Sequence, residues 1–130
     1  MNFEYKKDKT AIILVDPYNE VLSEGGKVWP RLKEVAESVN LHENIKKLLD
    51  LARSKGIKIF IAPHRRWRLG DVEKWHNPTR AHKALKDYKL YAEGTFGGEW
   101  YTDFKPQKDD IVCYEHWEWG DLLIRILIYY

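Results

Sequence analysis

The strongest constraint on this chain is a pair of short, mostly apolar runs, each stopped by a proline. Thr10–Val15 (Thr-Ala-Ile-Ile-Leu-Val) ends at Asp16-Pro17, and Ile57–Ala62 (Ile-Lys-Ile-Phe-Ile-Ala) ends at Pro63. Runs of this length suit strands covered on both faces, as in parallel sheets. Proline cannot donate to a ladder and so terminates it. Between the runs, Leu41, Ile45, Leu48, Leu49 and Ala52 recur at helical spacing. Asn40, with Glu43 three residues on, reads as an N-cap with a capping box, and Gly56 as the C-terminal stop. Arg31–Ser38 reads as an entry turn or a separate helix, and Tyr18–Pro30, with Gly25-Gly26, as a loop. Strand, helix, strand in this order predicts a right-handed parallel pair in an α/β fold.

The rest of the chain is less regular. His64–Trp100 is a long basic and aromatic insertion. Inside it, Asn77-Pro78 reads as a helix start with Pro at the first helical position, and that helix should end near Tyr88. Glu93–Trp100 is a Gly-rich loop, Asp110–Tyr114 a third strand, and the tail from Asp121 to Tyr130 is nearly all aliphatic and aromatic. With 44% hydrophobic and 32% charged residues, the composition is that of a folded domain and excludes a disordered chain. A net charge of +2 is too small to imply a nucleic-acid partner. The single cysteine, Cys113, excludes an intramolecular disulfide and a cysteine-based zinc cluster within one chain. The first residues lack a signal peptide's apolar core and no run reaches membrane-spanning length, so we expect a cytoplasmic protein with no membrane partner.

Ligands of open α/β sheets bind beyond the carboxyl ends of the strands. Three segments leave the strands there: Asp16–Glu20, His64–Arg68 and Glu115–Trp119. Each carries ionisable groups directly after an apolar run. Asp16 is the most informative: a carboxylate against a dry sheet can have a raised pKa and move protons. The competing reading is an Asp that caps its own turn beside Pro17. His64-Arg65-Arg66-Trp67-Arg68 could grip an anion through the guanidinium fork, or be a solvated basic loop. The five histidines show no metal-ligand spacing, so neither a metal nor another cofactor is expected. Gly94–Trp100 could bring backbone close to a ligand or be a tight turn. It lacks the features of a phosphate-binding loop. Cys113, inside an apolar strand, reads as a buried and inert thiol.

Taken in order, these segments resemble the isochorismatase-like cysteine hydrolases, the family of nicotinamidases and N-carbamoyl amidases. Thr10–Glu20 is similar to the family's first strand, ending in its catalytic Asp and followed by Asn19 and Glu20, with Tyr18 in place of Gln. Ser23–Lys27 with Trp29-Pro30, Pro63–Arg68, Gly94–Trp100 and Asp110–Trp117 continue the match, which spans about residues 8–117. The resemblance implies a three-layer Rossmann-like parallel sheet of which only the N-terminal strands are present. It also implies hydrolysis of an amide or related C–N bond in a small molecule by a Cys-Asp-Lys triad. Asp16 matches the Asp. The Lys should stand where this chain has Tyr114-Glu115-His116, which leaves His116 as its stand-in. Tyr18, His64, Arg65, Trp67 and Trp100 are the expected substrate-binding residues.

Two departures bear on activity. The family's nucleophilic Cys follows a later strand, so Cys113 is not its counterpart, and the sequence departs from the family after about Trp117. The chain therefore reads as a single incomplete domain, residues 1–130, with an atypical tail at 118–130. It is expected to be inactive as it stands. The alternative is a non-catalytic paralogue acting as a ligand-binding or partner subunit. In the family's strand order the first strand is central, so its outer edge would be unpaired here, and a homo-oligomer or other edge association is expected.

Overall fold

The structure, a computed structural model, describes residues 5–117. Three parallel strands form one sheet in the order β1-β2-β3: β1 is Ala11–Val15, β2 Lys58–Ala62 and β3 Ile111–Val112. Ala11 pairs with Lys58 and Val15 with Ala62, while Phe60 pairs with Ile111. The two proline-terminated runs are thus neighbours, as their pattern predicts. Among the described residues the outer edge of β1 has no partner strand. The tail, on which the expected apolar extension falls, lies outside the described residues.

Helices α1 (Asn19–Leu22), α2 (Trp29–Ser38) and α3 (Leu41–Lys55) lie between β1 and β2, and α4 (Arg80–Tyr88) lies in the insertion. Of the predicted α3 stripe, Ile45, Leu49 and Ala52 pack, whereas Leu48 is 51% exposed. Leu49 and Ala52 meet Ile59, Ile61 and Phe104 in the core, with Ile12, Leu14 and Ile45 against them. Paired residues of a parallel ladder share a face, so this core covers the face of Ile12, Ile59 and Ile61. On the opposite face Ile13 is 44% exposed. Gly56 ends α3 in the left-handed conformation, φ 66°, and Ile57 N–H donates to Ala52 O (2.9 Å). Below the sheet, Arg53 of α3 holds the buried Asp110 carboxylate at 2.7 Å, fixing the start of β3.

Several local expectations are corrected. Tyr18–Pro30 is not all loop: it contains the single turn α1, and α2 already opens at Trp29 with Pro30 in its first turn. Asn40 makes no side-chain cap. It sits left-handed (φ 48°), turning the chain between α2 and α3, and Glu43 pairs with Lys47 instead (2.7 Å). The capping box is found at α4, which opens at Arg80 rather than at Pro78. There Thr79 Oγ1 accepts the His82 N–H, and His82 Nδ1 accepts the Thr79 N–H. Histidine does the reciprocal work usually done by Glu or Gln. The third strand is shorter than Asp110–Tyr114, and Cys113, just past it, is half-buried rather than enclosed.

Candidate active site

The three strand exits meet at one edge of the sheet. Asp16 N–H donates to Ala62 O (3.1 Å), extending the ladder by one residue, and Asp16 O accepts the Tyr18 N–H (2.7 Å). Asp16 itself is left-handed, φ 51°. For a residue with a Cβ this costs about 1–2 kcal/mol, tolerated best by Asn and Asp. The turn and catalytic readings of Asp16 are therefore not exclusive. Its backbone makes the turn, while its side chain makes no capping bond: Oδ1 is buried and, among the described residues, without a hydrogen-bond partner. Burial pushes its carboxyl pKa up. The charges of His64 and His116 and a hydrogen bond from the His64 backbone pull the other way.

His64 follows Pro63 at the end of β2. Its Nδ1 lies 2.8 Å from Arg65 O. A carbonyl only accepts, so Nδ1 carries the proton and Nε2 is left as the other ring position. The ring stacks on Tyr91 (centroids 4.9 Å apart, 23° between planes). His116, past β3, pairs with His64 in an isolated parallel bridge, and the two rings are 6.3 Å apart. His116 is only 6% exposed, and among the described residues neither ring nitrogen has a hydrogen-bond partner. Its neighbours differ: Tyr114 is 89% exposed, and Glu115 is drawn to Arg66 (2.6 Å). Of the three residues at the expected lysine position, His116 is the one whose charge acts on Asp16.

The other expected site residues divide. Tyr18 is fully buried. Its ring stacks on Trp100 (4.8 Å, 7°), its hydroxyl donates to His64 O (3.0 Å), and the Arg66 guanidinium lies 5.0 Å from each ring. Tyr18 and Trp100 thus weld the β1 exit to the Gly-rich loop, helped by Asn19 N–H to Glu99 O and Tyr101 N–H to Pro17 O. Arg65 is engaged by Asp71 (2.9 Å) and lies over Trp117; Arg68 is engaged by Glu93 at 2.6 Å. The arginines of the expected anion fork hold carboxylates of this chain: Arg65 that of Asp71, Arg66 that of Glu115 and Arg68 that of Glu93. Trp67 lies under Lys89 Nζ (5.6 Å), and its buried indole N–H has no partner among the described residues.

Tyr91 gives no signal in the sequence, and Glu20 enters it only as the end of the β1 exit and of the family resemblance. Tyr91 is left-handed (φ 52°), stacks on His64 and lies 5.5 Å from the Tyr18 ring. Burial, then the charges of Asp16 and Glu20, raise its phenol pKa. Glu20 is buried, and its carboxylate accepts the N–H groups of Lys27 (2.5 Å) and Tyr91 (2.9 Å). Gly97 lies so close to that carboxylate that a Cβ would collide with it. The Gly-rich loop therefore does bring backbone close to something, but to Glu20. It is a wound 3₁₀ turn at Phe96–Gly98 rather than an open loop.

Among the described residues Cys113 has no activating cation. Burial alone raises its thiol pKa, and its N–H is committed to Ile61 O (2.8 Å). Among the described residues no three His, Cys, Asp or Glu side chains group closely enough to hold a metal ion, and no helix is long and apolar enough to cross a membrane.

No curated protein matched the chain. The family model for the Isochorismatase domain matches residues 10–120, from the first strand through all three exits. The chain, an α/β protein built on a parallel sheet, belongs to the isochorismatase family of hydrolase-like proteins.

Proposed function

We propose that this chain carries the proton-handling side of a site for hydrolysing an amide or related C–N bond of a small molecule. The observation that carries the reading is the buried, unpartnered Asp16 Oδ1 beside the buried, unpartnered imidazole of His116. A carboxyl with a raised pKa accepts and returns a proton near neutral pH more readily than an ordinary one. In the family's chemistry, Asp16 takes the proton of a nucleophilic thiol. That thiol attacks the substrate carbonyl, the amine leaves with a proton, and water then releases the acid. His116 supplies the positive charge that the family draws from lysine. In this reading His64 and Trp67 bind substrate, whereas Tyr18, Arg65 and Trp100 serve by holding the exits in place.

Cys113 does not serve as the nucleophile, since no base or cation lowers its pKa. We infer that the 130 residues do not turn over amides through a thiol. The test is intact-mass analysis of the chain after incubation with a panel of small primary amides, with amine release followed in parallel. The expected result is an unmodified chain and no amine above blank. An acyl adduct on Cys113 would overturn the reading, as would release abolished by Asp16→Asn. A second reading, a non-catalytic partner subunit, is favoured by the open edge of β1 and the exposed Ile13. Light scattering would then show an oligomer that Ile13→Lys dissociates. A monomer at all concentrations would count against it.

A further inference from the structure

The β2–β3 ladder changes register on its way to the site. Ile61 stands opposite Val112, a difference of 51 positions, but His64 stands opposite His116, a difference of 52. The hydrogen bonds show the same step. Cys113 N–H donates to Ile61 O (2.8 Å) and His116 N–H to Pro63 O (3.1 Å), so three residues of one segment span two of the other. This is a bulge, a device that re-aims side chains next to functional sites. Without it Glu115 would face His64, and His116 would pass to the next position along. A one-residue slip reverses which face each side chain takes.

We propose that the Arg66–Glu115 ion pair locks this bulge and that the bulge is what turns the His116 imidazole toward Asp16, making Arg66 and Glu115 positioning residues of the site. Glu115 Oε1 accepts from Arg66 Nη1 at 2.6 Å, and Oε2 from the Arg66 backbone N–H at 3.3 Å. Arg65 and Arg68 approach Glu115 no closer than 3.9 and 3.7 Å and have carboxylates of their own. On its other side, Arg66 Nε donates to Gly98 O (2.7 Å), and the guanidinium covers Tyr18 and Trp100. One side chain thus joins the exits of all three strands to the Gly-rich turn. Lysine has neither the fork nor the flat face this requires.

The inference rests on the proposed pairing of Asp16 with His116, and the experiment separates the two. The Asp16 titration midpoint is followed by carboxyl ¹³C NMR on the 130-residue chain. The charges acting on Asp16 are those of His64 and His116, and the buried phenols of Tyr18 and Tyr91 face it. Arg66 and Glu115 act on Tyr18. His116→Ala should raise the midpoint by roughly one pH unit, since a nearby cation is lost. Glu115→Ala and Arg66→Lys should raise it in the same direction, and neither should add to His116→Ala. If His116→Ala moves the midpoint but the other two leave it at the wild-type value in a folded chain, the lock is refuted and the pairing stands. If His116→Ala leaves it unmoved, the pairing itself fails, and the lock with it. Hydrogen exchange on the unsubstituted chain tests the lock without any variant. The amides of Arg65 and His116 should be protected about tenfold or more. Exchange at the open-chain rate would overturn the proposal.

Discussion

Replacing Asp16 by Asn should make the protein more stable at neutral pH. The substitution keeps the side chain's size. Asn accepts the left-handed backbone as readily as Asp, so the φ of 51° cancels from the comparison. What changes is the charge. A buried polar oxygen without a partner costs about 1–3 kcal/mol, more when ionised. Against this stand the attraction of His64 and His116 and the His64 backbone hydrogen bond. The raised pKa says that burial wins. A net gain of about 1 kcal/mol follows for Asn, or about 4 °C in melting temperature for a chain of this size. The gain must depend on pH. A carboxyl whose pKa is raised by folding binds its proton more tightly folded than unfolded. Stability therefore falls as pH rises through the window between the ordinary carboxyl value and the raised one. Below the ordinary value of 3.8 both states are protonated and that penalty is absent. Urea unfolding followed by tryptophan fluorescence at pH 7.5 and about pH 3 measures it. A gain that persists undiminished at pH 3, or a loss at pH 7.5, would refute the argument that Asp16 holds a charge against its surroundings.

Other perturbations test the supports of the site. Asp110→Ala should cost about 3 kcal/mol, because Asp110 is buried and its loss strands Arg53; a change under 1 kcal/mol in urea unfolding would show the pair to be solvated. Gly97→Ala should cost about 2 kcal/mol by forcing a Cβ into the Glu20 carboxylate, and an unchanged melting temperature would mean that this turn yields freely. Thr79→Ala should cost about 1 kcal/mol, the usual price of a lost cap. Asn40→Gly should be neutral or stabilising, since Asn40 makes no cap and is left-handed; the reverse order in thermal melts would contradict both assignments.

The elements legible in the sequence were those set by long-period burial. Thr10–Val15 and Ile57–Ala62 announced themselves as strands because proline ended each one, and Leu41–Ala52 as a helix because one stripe had to reach the core. Helix starts are not legible where the signal is a single short-range contact. Asn40 and Thr79 are both plausible caps by residue type, but a cap needs its own φ near the extended region. Asn40 has φ 48° and Thr79 has φ −65°. Nothing in the residue names distinguishes those two backbones. The difference comes from how α2 must turn into α3.

The site divides along the same line. That the segments after Val15, Ala62 and Val112 converge follows from parallel pairing alone, since parallel strands present all their carboxyl ends at one edge. Which side chains then face inward depends on single-residue events. The bulge after β3 sends Tyr114 to solvent and His116 inward, and a register step of one leaves no trace in composition or periodicity. The same limit explains the arginines. Arg65, Arg66 and Arg68 look like a free basic patch in sequence because two of the carboxylates that occupy them, Glu93 and Glu115, lie 25 and 49 positions away. Charges that close a network inside one chain cancel as ligand-binding groups. Asp16 and His116 are the reverse case: Asp16 Oδ1 and both His116 ring nitrogens are buried and, among the described residues, unmatched. An unmatched buried polar atom costs stability that no internal contact returns, and under the proposed function Asp16 and His116 carry that cost for the chemistry.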